Sequence, residues 1–208
     1  MDIVLLDYER AQLNDADDGD PELPARLPNL EALQPGDLIL STPRKWDLGT
    51  PFIKLGQRIR YSWDDARWNH ASLYAGPGCR IIHTNPDHGV AESDLESMVK
   101  THLLRFRRDP KMEPGAGRRM VDAAQDLVGL NYSKYGFAKA TLDQFMKMGY
   151  RSRRDKPQLI CSTLYVDAYE KANPGKRLFT QDSRYPIPAL LSRTPLLSDV
   201  AVSWKRVR

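Results

Sequence analysis

The stretch NHASLYAGPGCRIIHT, residues 69–84, decides the fold of this chain. Residues 69–75 and 80–84 are rich in apolar side chains, which favours strands, and the Gly-Pro-Gly of residues 76–78 is a turn signal. Two strands joined by such a turn pair as an antiparallel hairpin. His70 and His83 then lie on neighbouring strands, so pairing can bring their imidazoles together, although the sequence leaves the register open.

The segments around this hairpin predict an α+β domain with a central antiparallel sheet. Further strands are predicted at residues 37–41, 89–91 and 103–107, the last with basic residues alternating outward. Helices are predicted at residues 49–60, 93–99, 116–128, 136–148 and 161–173. Ser93 is predicted to cap the second of these helices, because Glu96 follows three residues later as in a capping box.

The 208-residue composition, with 41% hydrophobic and 28% charged residues, is that of a globular protein with a real core. No stretch approaches the roughly 20 apolar residues of a membrane span, and the N-terminus lacks the pattern of a secretory signal. We therefore expect the chain in the cytoplasm, or exported by a route that needs no cleaved signal. With only two cysteines, Cys79 and Cys161, neither a disulfide framework nor a metal or other cofactor is expected.

The chain has a net charge of +4, and many of its basic residues are grouped in clusters. These comprise Arg105, Arg107, Arg108 and Lys111; Lys147, Arg151, Arg153, Arg154 and Lys156; and Lys205, Arg206 and Arg208. Such clusters are typical of a solvated face or of a surface for nucleic acid, an anionic cell wall or anionic lipid. No helix-turn-helix, zinc-finger or aromatic RNA-binding signature accompanies them, so no specific nucleic-acid partner is expected.

Cys161 is the candidate nucleophile, because it falls where a helix is predicted to begin. The partial positive charge and unpaired N–H groups of a helix N-terminus favour thiolate over thiol. A histidine beside the sulfur can take its proton, and a second polar group can orient that histidine. The alternative is that Cys161 is a small buried apolar residue and each histidine a half-buried strand residue. Glu92 and Asp87 are alternatives to His83 as the orienting group.

The order of these segments resembles a known family. The chain contains, in this order, Pro-Gly-Asp-Leu-Ile, Trp-Asn-His-Ala-Ser-Leu-Tyr, Ile-Ile-His and a late Ile-Cys-Ser-Thr-Leu-Tyr-Val. This ordered set resembles the circularly permuted NlpC-type papain-like superfamily, which includes YiiX-like proteins and lecithin retinol acyltransferase. The resemblance covers roughly residues 33–200. It implies a permuted papain-like catalytic domain over residues 33–208, preceded by an acidic, proline-bearing lead-in over residues 1–32.

The resemblance also implies roles for single residues. Cys161 matches the nucleophile, His70 the general base and His83 the third polar position, where YiiX-like members usually have glutamate and the acyltransferase group has histidine. The Cys161 backbone N–H is the expected oxyanion donor. Gly36 and Asp37 match a recurring turn with a structural role.

Three functions remain open at this point. The first is a cysteine hydrolase that cleaves an amide bond through a thioester. Its substrates would be cell-wall peptides, and it would act as an amidase or endopeptidase. In one form of this hypothesis it is a delivered antibacterial effector with an immunity-type protein partner. The second is a lipid-directed thiol hydrolase or acyltransferase, favoured by the histidine at position 83. The third is a catalytically silent binding domain that uses its basic surface.

Overall fold

A computed structural model describes residues 26–44, 61–85, 88–99, 101–130, 161–179 and 186–206 of the chain. Its strands are β1 (Arg26–Pro28), β2 (Leu38–Pro43), β3 (His70–Gly76), β4 (Arg80–Asn85), β5 (Gly89–Asp94), β6 (His102–Arg108), β7 (Ser198–Asp199) and β8 (Trp204–Arg206). Its helices are α1 (Trp63–Ala66), α2 (Leu95–Val99), α3 (Ala116–Gln125), α4 (Cys161–Ala172) and α5 (Pro188–Arg193), with a 3-10 turn at Leu30–Ala32. The helices predicted at residues 49–60 and 136–148 lie outside the described residues.

The centre of the fold is a six-stranded sheet in the order β5-β4-β3-β2-β6-β7, and each neighbouring pair is antiparallel. The predicted hairpin is its β3–β4 pair, in which Ser72 lies opposite His83. The α+β class and the central antiparallel sheet are therefore confirmed.

The alternation of side chains along the strands divides the core into two layers. Leu40, Ala71, Leu73 and Ile82 lie on one face, in the same apolar cluster as residues of α3, α4 and α5. The opposite face carries Ile39, Tyr74, Ile81, Leu104 and Phe106, together with residues of α2. Helices cover both faces, so the sheet strands are buried on both sides.

The turn before β2 fixes the position of α4 on the first face. Gly36 has a left-handed φ of 93°, which glycine adopts without strain. Its carbonyl accepts a hydrogen bond from the buried Tyr165 hydroxyl of α4 at 3.2 Å. Asp37 accepts hydrogen bonds from Arg108 at 2.6 Å and from the Gln34 N–H at 2.9 Å. The turn thus joins β2, β6 and α4.

The helix α4 ends where the sequence predicts. Asn173 follows its last residue and donates from Nδ2 to the Tyr169 carbonyl at 2.8 Å. Gly175 then adopts a left-handed φ of 82°. The amide side chain satisfies one C-terminal carbonyl, and the left-handed glycine turns the chain out of the helix.

The prediction that Ser93 caps a helix is wrong. Strand β5 continues to Asp94, because Ser93 pairs with Ile81 and Asp94 with Arg80 across the sheet. Asp94 is the residue at the start of α2, and its Oδ1 accepts the Glu96 N–H at 2.8 Å. Pairing with β4 carries the strand past the residue that the local pattern marks as the cap.

The prediction that the basic residues of β6 point outward is also wrong. Arg107 is buried and donates to the carbonyls of Leu191 and Ser192, each at 2.7 Å, and to those of Thr194 and Leu197. Arg105 forms a bidentate pair with Asp199, and Arg108 pairs with Asp37. These three arginines fix the fold and do not form a solvated basic face.

The C-terminal segment contributes a helix and two strands to the fold. Residues 188–193 form the largely buried helix α5, and β7 pairs with β6 at the sheet edge. Strand β8 pairs with β1, so residues 26–28 of the predicted lead-in contact residues 204–206. The boundary between lead-in and domain at residue 33 stays a prediction.

Candidate active site

The two histidines of the hairpin are joined directly. His70 Nε2 lies 2.9 Å from His83 Nδ1, and the rings meet edge to face at 84°. Ser72 is opposite His83, so His70 is two residues along β3 on the same face, at the diagonal position. The sequence predicted this contact only as a possibility of the unknown register, and the observed register produces it.

A third side chain extends this contact. Ser93 Oγ lies 2.7 Å from His83 Nε2. Ala91 is opposite His83, so Ser93 is two residues along β5 and projects from the same face. Sequence reasoning did not identify Ser93 as a site residue. With the register known, the signal would have been a polar residue two positions beyond Ala91, which faces His83.

Two more serine hydroxyls flank the histidines. Ser41 is opposite His70 in the β2–β3 pair, and Ser72 is opposite His83. Both hydroxyls are buried and have no hydrogen-bond partner in the described part of the chain. Buried polar groups normally have partners, so this cluster marks the region as more than a packing site.

Cys161 approaches the same end of the hairpin from the other face. It is 8% exposed and lies in the apolar cluster with Ala71 and Ile82. The β3–β4 pairing extends no further than Ser72 and His83, and the N–H of Ala71 forms a hydrogen bond to the thiol. Because His70 precedes Ala71 in the chain, it adjoins the residue whose backbone interacts with the thiol, while its ring lies on the opposite face of the sheet.

The expected thiolate is not the resting form of Cys161. Burial raises the pKa of the thiol, although hydrogen bonds from Ala71, Ser162 and the N–H of Cys161 itself act to lower it. The prediction from the helix N-terminus was therefore wrong in direction, because desolvation of the charged sulfur outweighs the N–H groups around it.

The histidines are also neutral. Burial lowers the pKa of His70 to about 3, with smaller contributions from the charges of His83 and His102. Burial likewise lowers the pKa of His83. No hydrogen bond between Cys161 and His70 is found among the described residues. At neutral pH the thiol and both imidazoles are therefore uncharged.

The alternative orienting groups do not take the place of His83. Glu92 lies opposite Ile82, on the other face of the sheet, and pairs with Arg80 at 3.6 Å. Asp87 lies outside the described residues. Cys79 is in the β3–β4 turn at the far end of the hairpin, where its sulfur lies 3.9 Å from Glu96.

Within the described ranges, no three His, Cys, Asp or Glu side chains are grouped so that they could hold a metal ion. None of the described helices has the length and apolar character needed to cross a membrane.

Comparison with known proteins leaves the site to be interpreted from its own residues. No family model matches the chain, and no curated protein matches it.

Proposed function

We propose that the chain is a cysteine hydrolase with a circularly permuted, NlpC-type papain-like fold, which cleaves an amide bond through a thioester. The observation that carries the proposal is the 2.9 Å contact between His70 and His83 at the point where the Ala71 N–H meets the Cys161 thiol. The chain order supports it as well, since both histidine strands precede the cysteine helix.

The proposed first step is attack by the sulfur on the substrate carbonyl. His70 takes the thiol proton at Nδ1 while the C–S bond forms, so no ion pair needs to exist beforehand. His83 accepts the His70 Nε2–H and stabilises the imidazolium. In this proposal the Cys161 N–H holds the oxyanion, and the Ala71 N–H, which also interacts with the sulfur, is the second donor.

The remaining steps return the enzyme to its starting state. His70 gives its proton to the leaving amine as the C–N bond breaks, which leaves a thioester on Cys161. The imidazole then takes a proton from water, whose oxygen forms the new C–O bond. The C–S bond breaks, and the proton returns to the sulfur. No metal or organic cofactor enters this sequence.

The proposed substrate is a cell-wall peptide, with the protein acting as amidase or endopeptidase in the cytoplasm or as a delivered effector. The resemblance of the ordered segments to NlpC-type proteins supports this substrate. The basic cluster of β6 does not support an anionic wall as partner, because its arginines bind within the fold. That internal use also counts against a silent basic binding domain.

A lipid-directed hydrolase or acyltransferase is the second candidate. The specific observation in its favour is that the third polar position holds a histidine in direct contact with the base, as the resemblance to the acyltransferase group implies. An acyl ester in place of the amide would use the same thioester steps.

The test is turnover of an isolated cell-wall tetrapeptide and of a short-chain phosphatidylcholine by the full chain. We expect Cys161→Ala to abolish hydrolysis, His70→Ala to reduce it by about 10²–10⁴-fold, as for loss of a general base, and His83→Ala to leave partial activity. Cys79→Ser is the matched control and should retain full activity. Full turnover by Cys161→Ala on either substrate would contradict the mechanism, and the substrate preferred by the wild type decides between the two candidates.

A further inference from the structure

We infer that Ser93 is a positioning residue of this site, whose hydroxyl holds His83 in the tautomer that leaves His70 able to accept a proton. The inference rests on the proposed function, since it concerns how His70 works as the base. Ser93 itself acts through His83 and contacts neither the sulfur nor the bond that is cleaved.

The contacts form one continuous chain. Ser93 Oγ is 2.7 Å from His83 Nε2, and His83 Nδ1 is 2.9 Å from His70 Nε2. All three side chains project from one face of neighbouring strands, so the backbone register fixes their spacing. The remaining ring nitrogen, His70 Nδ1, is the atom left for the thiol proton.

A neutral imidazole carries one N–H and one bare nitrogen, so the chain of contacts has only two directions. In the first, His70 donates from Nε2 to His83 Nδ1, and His83 donates from Nε2 to Ser93. His70 Nδ1 is then bare and acts as a base. In the second, every bond is reversed, and His70 Nδ1 carries the hydrogen and cannot take another. The Ser93 hydroxyl can accept in the first direction and donate in the second, and we assign it the acceptor role because only the first direction leaves His70 Nδ1 bare. Loss of the hydroxyl would then leave a buried N–H at His83 Nε2 without an acceptor, which costs more than a bare nitrogen there.

Ser93 is the serine whose position suits this role. Ser41 and Ser72 lie on the same face, yet their hydroxyls form no hydrogen bond within the described residues. The Ser93 hydroxyl is not needed to cap the helix that follows, because Asp94 accepts the hydrogen bond from the first turn of α2. Its hydroxyl is therefore committed to His83.

The experiment combines a structural and a chemical measurement on the full chain. Nitrogen-15 NMR of labelled histidines reports which ring nitrogens are protonated, and mass spectrometry follows acetylation of Cys161 by p-nitrophenyl acetate. The variants are Ser93→Ala, Ser93→Thr, which keeps a hydroxyl, and Ser97→Ala, a matched control whose hydroxyl binds the Asp94 carbonyl. Thermal unfolding of each variant checks that the fold is retained.

We expect Ser93→Ala to shift His83 from the Nε2–H form toward the Nδ1–H form. Acetylation should slow by about three- to tenfold, the effect of losing one neutral hydrogen bond. Ser93→Thr should restore both measurements, and Ser97→Ala should match the wild type.

An unchanged His83 tautomer in Ser93→Ala would overturn the inference, and so would a shifted tautomer with an unchanged acetylation rate. A failure of the proposed function is a separate result, because it would appear as equal total acetylation in Cys161→Ala. The NMR measurement needs no turnover, so it still decides whether Ser93 sets the tautomer.

Discussion

Burial decides the charge state of the reactive residues. Cys161 begins a helix and faces three backbone N–H groups, yet desolvation raises the pKa of its thiol. Burial also lowers the pKa of His70 to about 3, so its imidazole stays neutral until the pH falls to about that value. The site therefore differs from one that holds a thiolate–imidazolium pair at rest, and in the proposed mechanism His70 takes the proton only as the sulfur attacks.

This charge state predicts how Cys161 reacts with iodoacetamide in a Cys79→Ser background. The pH dependence of alkylation should give an apparent pKa above the free-cysteine value of about 8.5. His70→Ala should change that apparent pKa little, because His70 is uncharged throughout the alkaline range. An apparent pKa well below 8.5 that rises in His70→Ala would mean that an ion pair exists at rest.

The low pKa of His70 also predicts a loss of stability in acid. Between its unfolded value of 6.5 and its folded value of about 3, the unfolded chain binds a proton that the folded chain does not. Stability is therefore complete above the unfolded pKa and falls as the pH drops through this window. Urea unfolding at neutral pH and near pH 4 should show a smaller loss in His70→Gln than in the wild type. Equal losses in the two proteins would contradict the assignment.

At the scale of elements, local sequence patterns predicted the hairpin and the end of α4. Glycine and proline mark the turns, and apolar runs mark the strands. The same local pattern failed at Ser93, where a capping box predicts a helix but pairing with β4 extends the strand to Asp94. Strand pairing over a distance in the chain decided that residue.

The strand β6 shows a second limit of local patterns. Its alternation was predicted, but the sequence could not show which face is covered. Helix α5 and the segment to Leu197 lie over that face, and their carbonyls accept hydrogen bonds from Arg107. An arginine with that many acceptors is stable in the interior, although its charge suggested solvent.

The contact between α3 and the turn before β2 gives a prediction about stability. A Cβ at Gly117 would collide with the Pro35 carbonyl oxygen. Gly117→Ala should therefore destabilise the fold by about 2 kcal/mol or more, although alanine normally favours a helix. Gly78→Ala is the control, since it meets no atom within 4 Å and bears only the left-handed backbone cost of about 1 kcal/mol. Urea unfolding measures both, and a Gly117→Ala protein as stable as the wild type would contradict the close packing.

At the scale of the whole molecule, the sheet brings distant segments of the chain to one site. The histidines and Ser93 lie within residues 70–93, whereas the thiol is at residue 161. The order of motifs predicts that the thiol and the histidines work together, and this stays a prediction. It could not predict that the thiol and the histidines approach from opposite faces, because that depends on where β3 and β4 stop pairing.

The most direct test of the central claim is a covalent one. The full chain is acetylated with p-nitrophenyl acetate, and peptide mass spectrometry locates and times the adduct in the wild type, Cys79→Ser, Cys161→Ala and His70→Ala. The account predicts a transient acetyl group on Cys161 that forms equally fast in Cys79→Ser, is absent from position 161 in Cys161→Ala and forms at least about 10²-fold more slowly in His70→Ala. An adduct confined to Cys79, or one that forms on Cys161 at the same rate without His70, would contradict it.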